Sequence, residues 1–155
     1  INSMYKNLII CFVLMCFFAS CKKAYIGSKD KEVADVASSF AYNYFSVNIV
    51  EARKYVTSDS EAWLRLFASN IVSDDINMIN NSEDGVSVEI TDVKYLSDTT
   101  AIVRCKVNNY LNNEDLCSRH YIADEGNFSL HLVKANNKWL VRMEGLLQNE
   151  RQSLD

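Results

Sequence analysis

The chain has 155 residues, 48% of them apolar and 23% charged, which suits one domain with a sizeable core and excludes general disorder. With 16 basic against 20 acidic residues the formal charge is −4, so the cationic excess expected of a nucleic-acid binder is missing. Proline is absent and glycine occurs 4 times, which excludes collagen-like and linker-like chains.

Lys6 precedes an unbroken apolar run over residues 8–19 (LIICFVLMCFFA). As helix the run would reach about 18 Å, short of a hydrocarbon core of roughly 30 Å. It therefore reads as the hydrophobic region of a secretory signal rather than as a span. The run ends in Phe18-Ala19-Ser20-Cys21, which resembles the bacterial lipobox, with Phe18 where an aliphatic residue is usual. The resemblance implies loss of residues 1–20, acylation of Cys21 and anchoring of the mature chain to a membrane through its N-terminal acyl chains. An ordinary signal peptide with an incidental cysteine is the plainer alternative. Lys22-Lys23 follow, and the resemblance to bacterial lipoproteins implies an outer-membrane address, on the periplasmic face or at the cell surface. Residues 21–29 read as a tether, 30–147 as the folded domain and 148–155 as a frayed tail.

From Asp30, a candidate N-cap, Val33, Val36, Ala37, Phe40, Ala41 and Tyr44 recur at helical spacing and predict a helix over 31–46. Asn48 can cap a short helix, Ile49–Val56. Ser58 and Glu61 stand at capping-box spacing before a helix over 59–70 that carries Trp63, Leu64 and Phe67. Ser73-Asp74-Asp75 can cap a last turn through Ile79, and residues 80–85 (NNSEDG) are turn chemistry. The period then changes to two. Val86, Val88 and Ile90 alternate with polar residues, and the pattern slips phase before Asp92 and Tyr95. Ala101, Val103, Cys105 and Val107, then Phe128, Leu130 and Leu132, then Trp139, Val141 and Met143 form one inward set, with Asn136-Asn137 closing the last hairpin. The other face keeps Ile102, Val133 and Leu140 among Arg104, His131 and Arg142, more apolar than a solvated face needs. Helices followed by an antiparallel meander is an α+β order.

Of the five cysteines, Cys11 and Cys16 would leave with the signal and Cys21 would be acylated. Cys105 and Cys117 remain. In an exported chain they could pair, closing a loop worth about 3 kcal/mol in the chain-entropy model. Alternatively Cys105 is a buried free thiol and Cys117 an exposed one. Neither these cysteines nor the distant His120 and His131 have zinc spacing, and no phosphate-binding, nucleophile-elbow or calcium-loop motif occurs, so neither metal nor cofactor is expected. His120 reads as a solvated loop residue, and Asp74-Asp75 as capping and solubility.

Ser39-Phe40-Ala41 on the long helix, Ala52-Arg53-Lys54-Tyr55 ending the short one, the strand Thr100-Ala101-Ile102-Val103, and the closing Leu132-Val133-Lys134 with Asn137-Lys138-Trp139-Leu140-Val141 together resemble the nuclear transport factor 2-like fold, over residues 30–145. This is the cystatin-like α+β cone, and the chain is similar to small bacterial lipoproteins that carry it. The resemblance implies N-terminal helices packed on a curved antiparallel sheet of about four to six strands. Enzymes of this fold place an acid or histidine inside the cone opposite Tyr or Asp donors, yet the inward strand positions here offer none.

The expected function is therefore non-enzymatic: a lipid-anchored cell-envelope domain binding a small apolar ligand or a protein, with Phe40, Tyr44, Trp63, Phe67 and Trp139 as pocket walls. One alternative is an isomerase or dehydratase with Asp92 or His131 as base and Tyr44 or Tyr55 as donor. Another is a structural subunit of an envelope complex, docking a second copy or an envelope protein on the Ile102, Val133, Leu140 face.

Overall fold

The computed structural model describes residue 27, residues 30–113 and residues 119–150. The proposed signal and tether up to residue 26, Cys21 among them, lie outside the described residues, as do residues 28–29, Cys117 and residues 151–155.

Helix α1 spans Lys31–Phe45 and buries Val33, Ala34, Ala37, Phe40, Ala41, Tyr44 and Phe45. The periodic stripe is there, rotated slightly, so that Val36 is only half-buried and Phe45 points in. Asp30 holds the N-cap position without a side-chain cap bond. Its carboxylate instead accepts from the Tyr95 hydroxyl, which ties the start of α1 to the sheet. The chain leaves α1 through Val47 at φ 59°, the left-handed exit usually given to glycine.

Short helix α2, Ile49–Ala52, continues as a 3₁₀ turn over Arg53–Tyr55. A second 3₁₀ turn, Ser58–Ser60, leads into α3, Glu61–Ser69. The expected Ser58–Glu61 capping box is not formed. Glu61 is drawn away by the Arg53 guanidinium at 2.8 Å. Ser60, wholly buried, takes the structural role: its hydroxyl is 2.6 Å from that of Thr57 and accepts the Met143 N–H at 2.8 Å. Helix α4, Ser73–Asn81, runs two residues past Ile79, where the sequence pattern ends it.

Four strands follow, β1 Ser87–Ser97, β2 Thr100–Asn112, β3 Tyr121–Ala135 and β4 Lys138–Val141, in the sheet order β1-β2-β3-β4. All neighbours are antiparallel, and helices cover one face of a curved, open sheet. All ten residues expected to face inward on β2, β3, β4 and at Met143 are buried. The phase slip in β1 is a bulge: Ile90 pairs Cys105 and Asp92 pairs Arg104, so Thr91 is the extra residue. Beyond it Tyr95, opposite Ala101, faces in and Asp92 faces out. The hairpin between β3 and β4 has Asn136 and Asn137 at φ 49° and 62°, the left-handed pair of a type I′ turn.

The tail does not fray at its start. The Glu150 N–H donates to the Asn127 carbonyl (2.8 Å), the Asn149 side-chain oxygen accepts the Asn127 N–H (2.9 Å), and the Ser129 hydroxyl bonds the Glu150 carboxylate. Residues 142–150 thus cover the part of the β3 edge that short β4 leaves open. An unpaired edge would be a template for aggregation, which favours such cover.

Candidate functional site

The cone interior is filled with rings. Tyr44 lies 4.3 Å from Phe67, 5.6 Å from Phe40 and 5.1 Å from Phe45, and Phe45 lies 4.5 Å from Phe128 and 5.2 Å from Tyr110, centroid to centroid. Such edge and tilted contacts leave no gap for a ligand between the rings. Phe40, Tyr44 and Phe67, expected as pocket walls, are 0%, 2% and 1% exposed and pack on each other. Trp63 is half-buried against the same cluster. Of the five, Trp139 lines a cleft, about 440 Å³, that also includes Glu32, Tyr95 and Lys134. There the Lys134 ammonium sits 5.8 Å from the indole centre, and Tyr95 meets it edge-on at 6.0 Å.

Among the described residues the buried polar or charged side chains are Ser60, Asp75 and Asn113, none of them on the inward strand positions beneath α1. Asp92 and His131 are both exposed on the outer face, opposite Arg104 and Ile102 respectively. Tyr44 lies across the sheet from them, so the sequence-derived base and donor are not brought together. Tyr55 is half-buried at the end of the 3₁₀ turn that follows α2. Ile102, Val133 and Leu140 lie half-buried on the outer face, with Val133 directly opposite Leu140.

Cys105 is a buried free thiol on the inner face, between Ile90 and Phe128. Burial, and after it the Glu150 carboxylate, pushes its pKa up to about 12, so it is a packing residue rather than a nucleophile. Cys117, with which it could pair, lies outside the described residues.

The one buried acid–imidazole pair among the described residues is elsewhere, and the sequence reading missed it. Asp75, in the first turn of α4, is 2% exposed, and His120, just before β3, has its side chain 11% exposed. Asp75 Oδ2 lies 2.8 Å from His120 Nδ1 and also accepts the Val72 N–H at 2.9 Å. So Asp75 caps α4, as expected, but it is a core-side anchor and not a solubilising charge; His120 is correspondingly not a solvated loop residue. A carboxylate only accepts, so Nδ1 carries the hydrogen that faces Asp75. The pair borders a cleft of about 760 Å³ formed by the end of α3, one side of α4 and Arg119-His120. A sequence signal did exist. Ile71, Asp75, Met78 and Ile79 fall at offsets 0, 4, 7 and 8, which places Asp75 at an apolar-stripe position where a lone acid needs a partner.

Among the described residues no group of three or more His, Cys, Asp or Glu side chains is placed to hold a metal, and no helix is long and apolar enough to cross a membrane.

No protein-family model and no curated protein matches the chain. Solved structures do. A ketosteroid isomerase-like protein from Erwinia carotovora atroseptica aligns over 75% of this chain and 93% of its own, at 13% identity and a TM-score of 0.50. A nuclear transport factor 2-like protein of unknown function from Shewanella oneidensis aligns over 73% and 93%, at 11% identity and 0.49. A protein with a cystatin-like fold from Nostoc punctiforme aligns over 82% and 96%, at 14% identity and 0.48. The fold is a nuclear transport factor 2-like α+β cone, with four helices against a four-stranded open sheet. At these identities the likeness concerns architecture, and chemistry has to be read from side chains.

Proposed function

We propose that the chain is a lipid-anchored cell-envelope domain that binds a ligand or partner at its surface and catalyses nothing in its cone. The ring-filled interior is the observation that carries this reading. Tyr44 touches Phe40, Phe45 and Phe67 directly, and the groups that could move protons at the cone, Asp92 and His131, sit on the far side of the sheet. An apolar ligand under α1 would have to displace packed rings, so the small-ligand reading moves from the cone to the clefts around it. The apolar run over residues 8–19 and Cys21 support the anchor.

Two measurements test the reading. Mass spectrometry of the full chain expressed in a bacterium is expected to find Cys21 as an acylated N-terminus, with Cys21→Ser blocking both acylation and membrane retention; an intact, unmodified residue 1–21 segment on the membrane-bound protein would remove the anchor. Incubation with 5-androstene-3,17-dione is expected to leave it unchanged. Turnover abolished by Tyr44→Phe or Tyr55→Phe would overturn the non-catalytic reading.

A further inference from the structure

We propose that the cleft beside the Asp75–His120 pair is a binding site for a short neutral saccharide. The proposal deepens the surface-binding reading and rests on it.

The side chains that meet in this cleft exclude other ligand classes. Its fixed charges are mixed: Arg119 stands beside Asp74 and the Asp75–His120 pair, so no net cationic field selects a phosphate or polyanion. Its surface is about as apolar as polar, but Val72 and Met78 are its apolar side chains among the described residues, too few for the continuous apolar wall that a lipid or a steroid needs. What remains is a high density of hydrogen-bonding groups of both kinds: the amides of Asn77 and Asn81, the Asp74 carboxylate, the guanidinium and the imidazole. A hydroxyl both donates and accepts, so a polyhydroxylated molecule can satisfy all of them together. Neighbouring hydroxyls on a sugar ring also suit the forked geometry of amide, carboxylate and guanidinium. Val72, 56% exposed, and Met78 give the C–H face of a ring something to lie on. The 760 Å³ volume falls inside the range of roughly 300–1,000 Å³ typical of small-molecule sites.

The Asp75–His120 pair makes this a prepared site rather than a polar dent. Both hydrogen bonds to Asp75 Oδ2 come from groups at the cleft wall, the Val72 N–H and the His120 ring. They fix the ring before any ligand arrives and leave Nε2 to bond a ligand hydroxyl, which can accept or donate. Holding that nitrogen still lowers the ordering cost of binding. Arg119 has no ion-pair or hydrogen-bond partner among the described residues, so its donors are available to a ligand.

The chain has 2 histidines, which makes the test direct. His120 borders the cleft, and His131, exposed on the outer sheet face, is an internal control. The full chain, labelled with ¹⁵N-histidine and held in a detergent without a sugar headgroup, is titrated separately with maltotriose, cellotriose and triacetylchitotriose. We expect at least one to shift the His120 ring resonances saturably while His131 stays still. Asn77→Ala and Asn81→Ala are exposed changes that leave the fold intact, and each is expected to weaken binding about three- to tenfold, one hydrogen bond's worth. Asp75→Asn should weaken it as well, with the amide substitutions deciding the matter if this buried change unfolds the domain. Unmoved His120 resonances with all three sugars would overturn the saccharide site and leave the surface-binding reading standing. A shift at His131 alone would do the same, by placing the ligand on the sheet face. Cleavage of the bound sugar would overturn the proposal that the cleft only binds.

Discussion

The Tyr110 ring, whose own register partner is Ala123, reaches diagonally over Gly126 on the neighbouring strand. A Cβ at Gly126 would sit 2.5 Å from the Tyr110 hydroxyl oxygen, 3.0 Å from its Cε1 and 2.9 Å from Phe128 Cε2. Glycine is therefore required by space, since its φ is not positive. The missing side chain lets Tyr110 fold onto β3 and close the aromatic group with Phe45 and Phe128, at 5.2 and 5.3 Å. Gly126→Ala is expected to destabilise the domain by about 1–3 kcal/mol, the usual cost of overpacking. Chemical denaturation reads it directly. In a Tyr110→Phe background the cost should fall, because the nearest clash is gone, but not vanish, because two ring carbons remain. Equal costs in both backgrounds would show that the hydroxyl contact is not what excludes the methyl.

Ser60, not the Ser58 that sequence spacing singles out, holds the turn before α3. Ser60 Oγ is the acceptor for the Met143 N–H, and next to it the Thr57 N–H donates to the Val141 carbonyl at 3.0 Å. Together with the parallel bridge Val56–Val141, this seals the end of β4 against the turn before α3. Ser60→Ala leaves a buried N–H without an acceptor and should cost about 1–3 kcal/mol. Ser58→Ala, at an exposed position with no cap bond, should change stability by less than about 0.5 kcal/mol. Thermal or urea midpoints of the two variants side by side test the assignment; a reversed order would restore the capping box.

The β3–β4 hairpin depends on two residues that both tolerate the left-handed region. Asn137 at φ 62° closes Ala135 onto Lys138. Asn137→Val should cost about 1–2 kcal/mol, because a β-branched side chain clashes in that conformation. Asn137→Gly should stay within about 0.5 kcal/mol of wild type, since relief of φ strain offsets added freedom in the unfolded chain. A Val variant as stable as wild type would mean that the turn is not type I′ in solution.

Much of this architecture is legible in the chain because it follows from period alone. The residues Ala101 through Val107, Phe128 through Leu132 and Trp139 through Met143 alternate strictly, and one buried face is what alternation means physically. The α1 stripe is read equally well for the same reason. What period cannot show is whether an apolar residue borders a void or another side chain. Phe40, Tyr44 and Phe67 are inward as their spacing indicates, and that they pack on one another is a tertiary property that spacing does not carry. Asp75 and His120 are 45 positions apart, so no local pattern joins them, and only Asp75's place on an apolar stripe hinted at a buried partner. The tail around Asn149 and Glu150 was missed for a related reason. Its hydrogen bonds run to the β3 edge at Asn127 and Ser129, an edge left open only because β4 is short.

Cys105 should make the domain sensitive to alkali. Burial raises its pKa from 9.0 to about 12, so between those values the native thiol keeps its proton while the unfolded one loses it. A raised folded pKa contributes stability that is complete below the unfolded value and is lost as pH climbs through the folded one. The wild-type chain should thus lose about 1.4 kcal/mol per pH unit from this group as pH climbs above 9 toward 12. Cys105→Ala has no such group. It should start less stable at neutral pH, because a buried side chain is truncated, and then show a shallower decline in alkali. Urea unfolding under reducing conditions at pH 7, 9, 10 and 11 measures the difference between the two slopes, in which the tyrosines and lysines common to both chains cancel. Parallel curves would mean that Cys105 ionises at its ordinary pKa, and hence that water reaches the inner face of the sheet at that position.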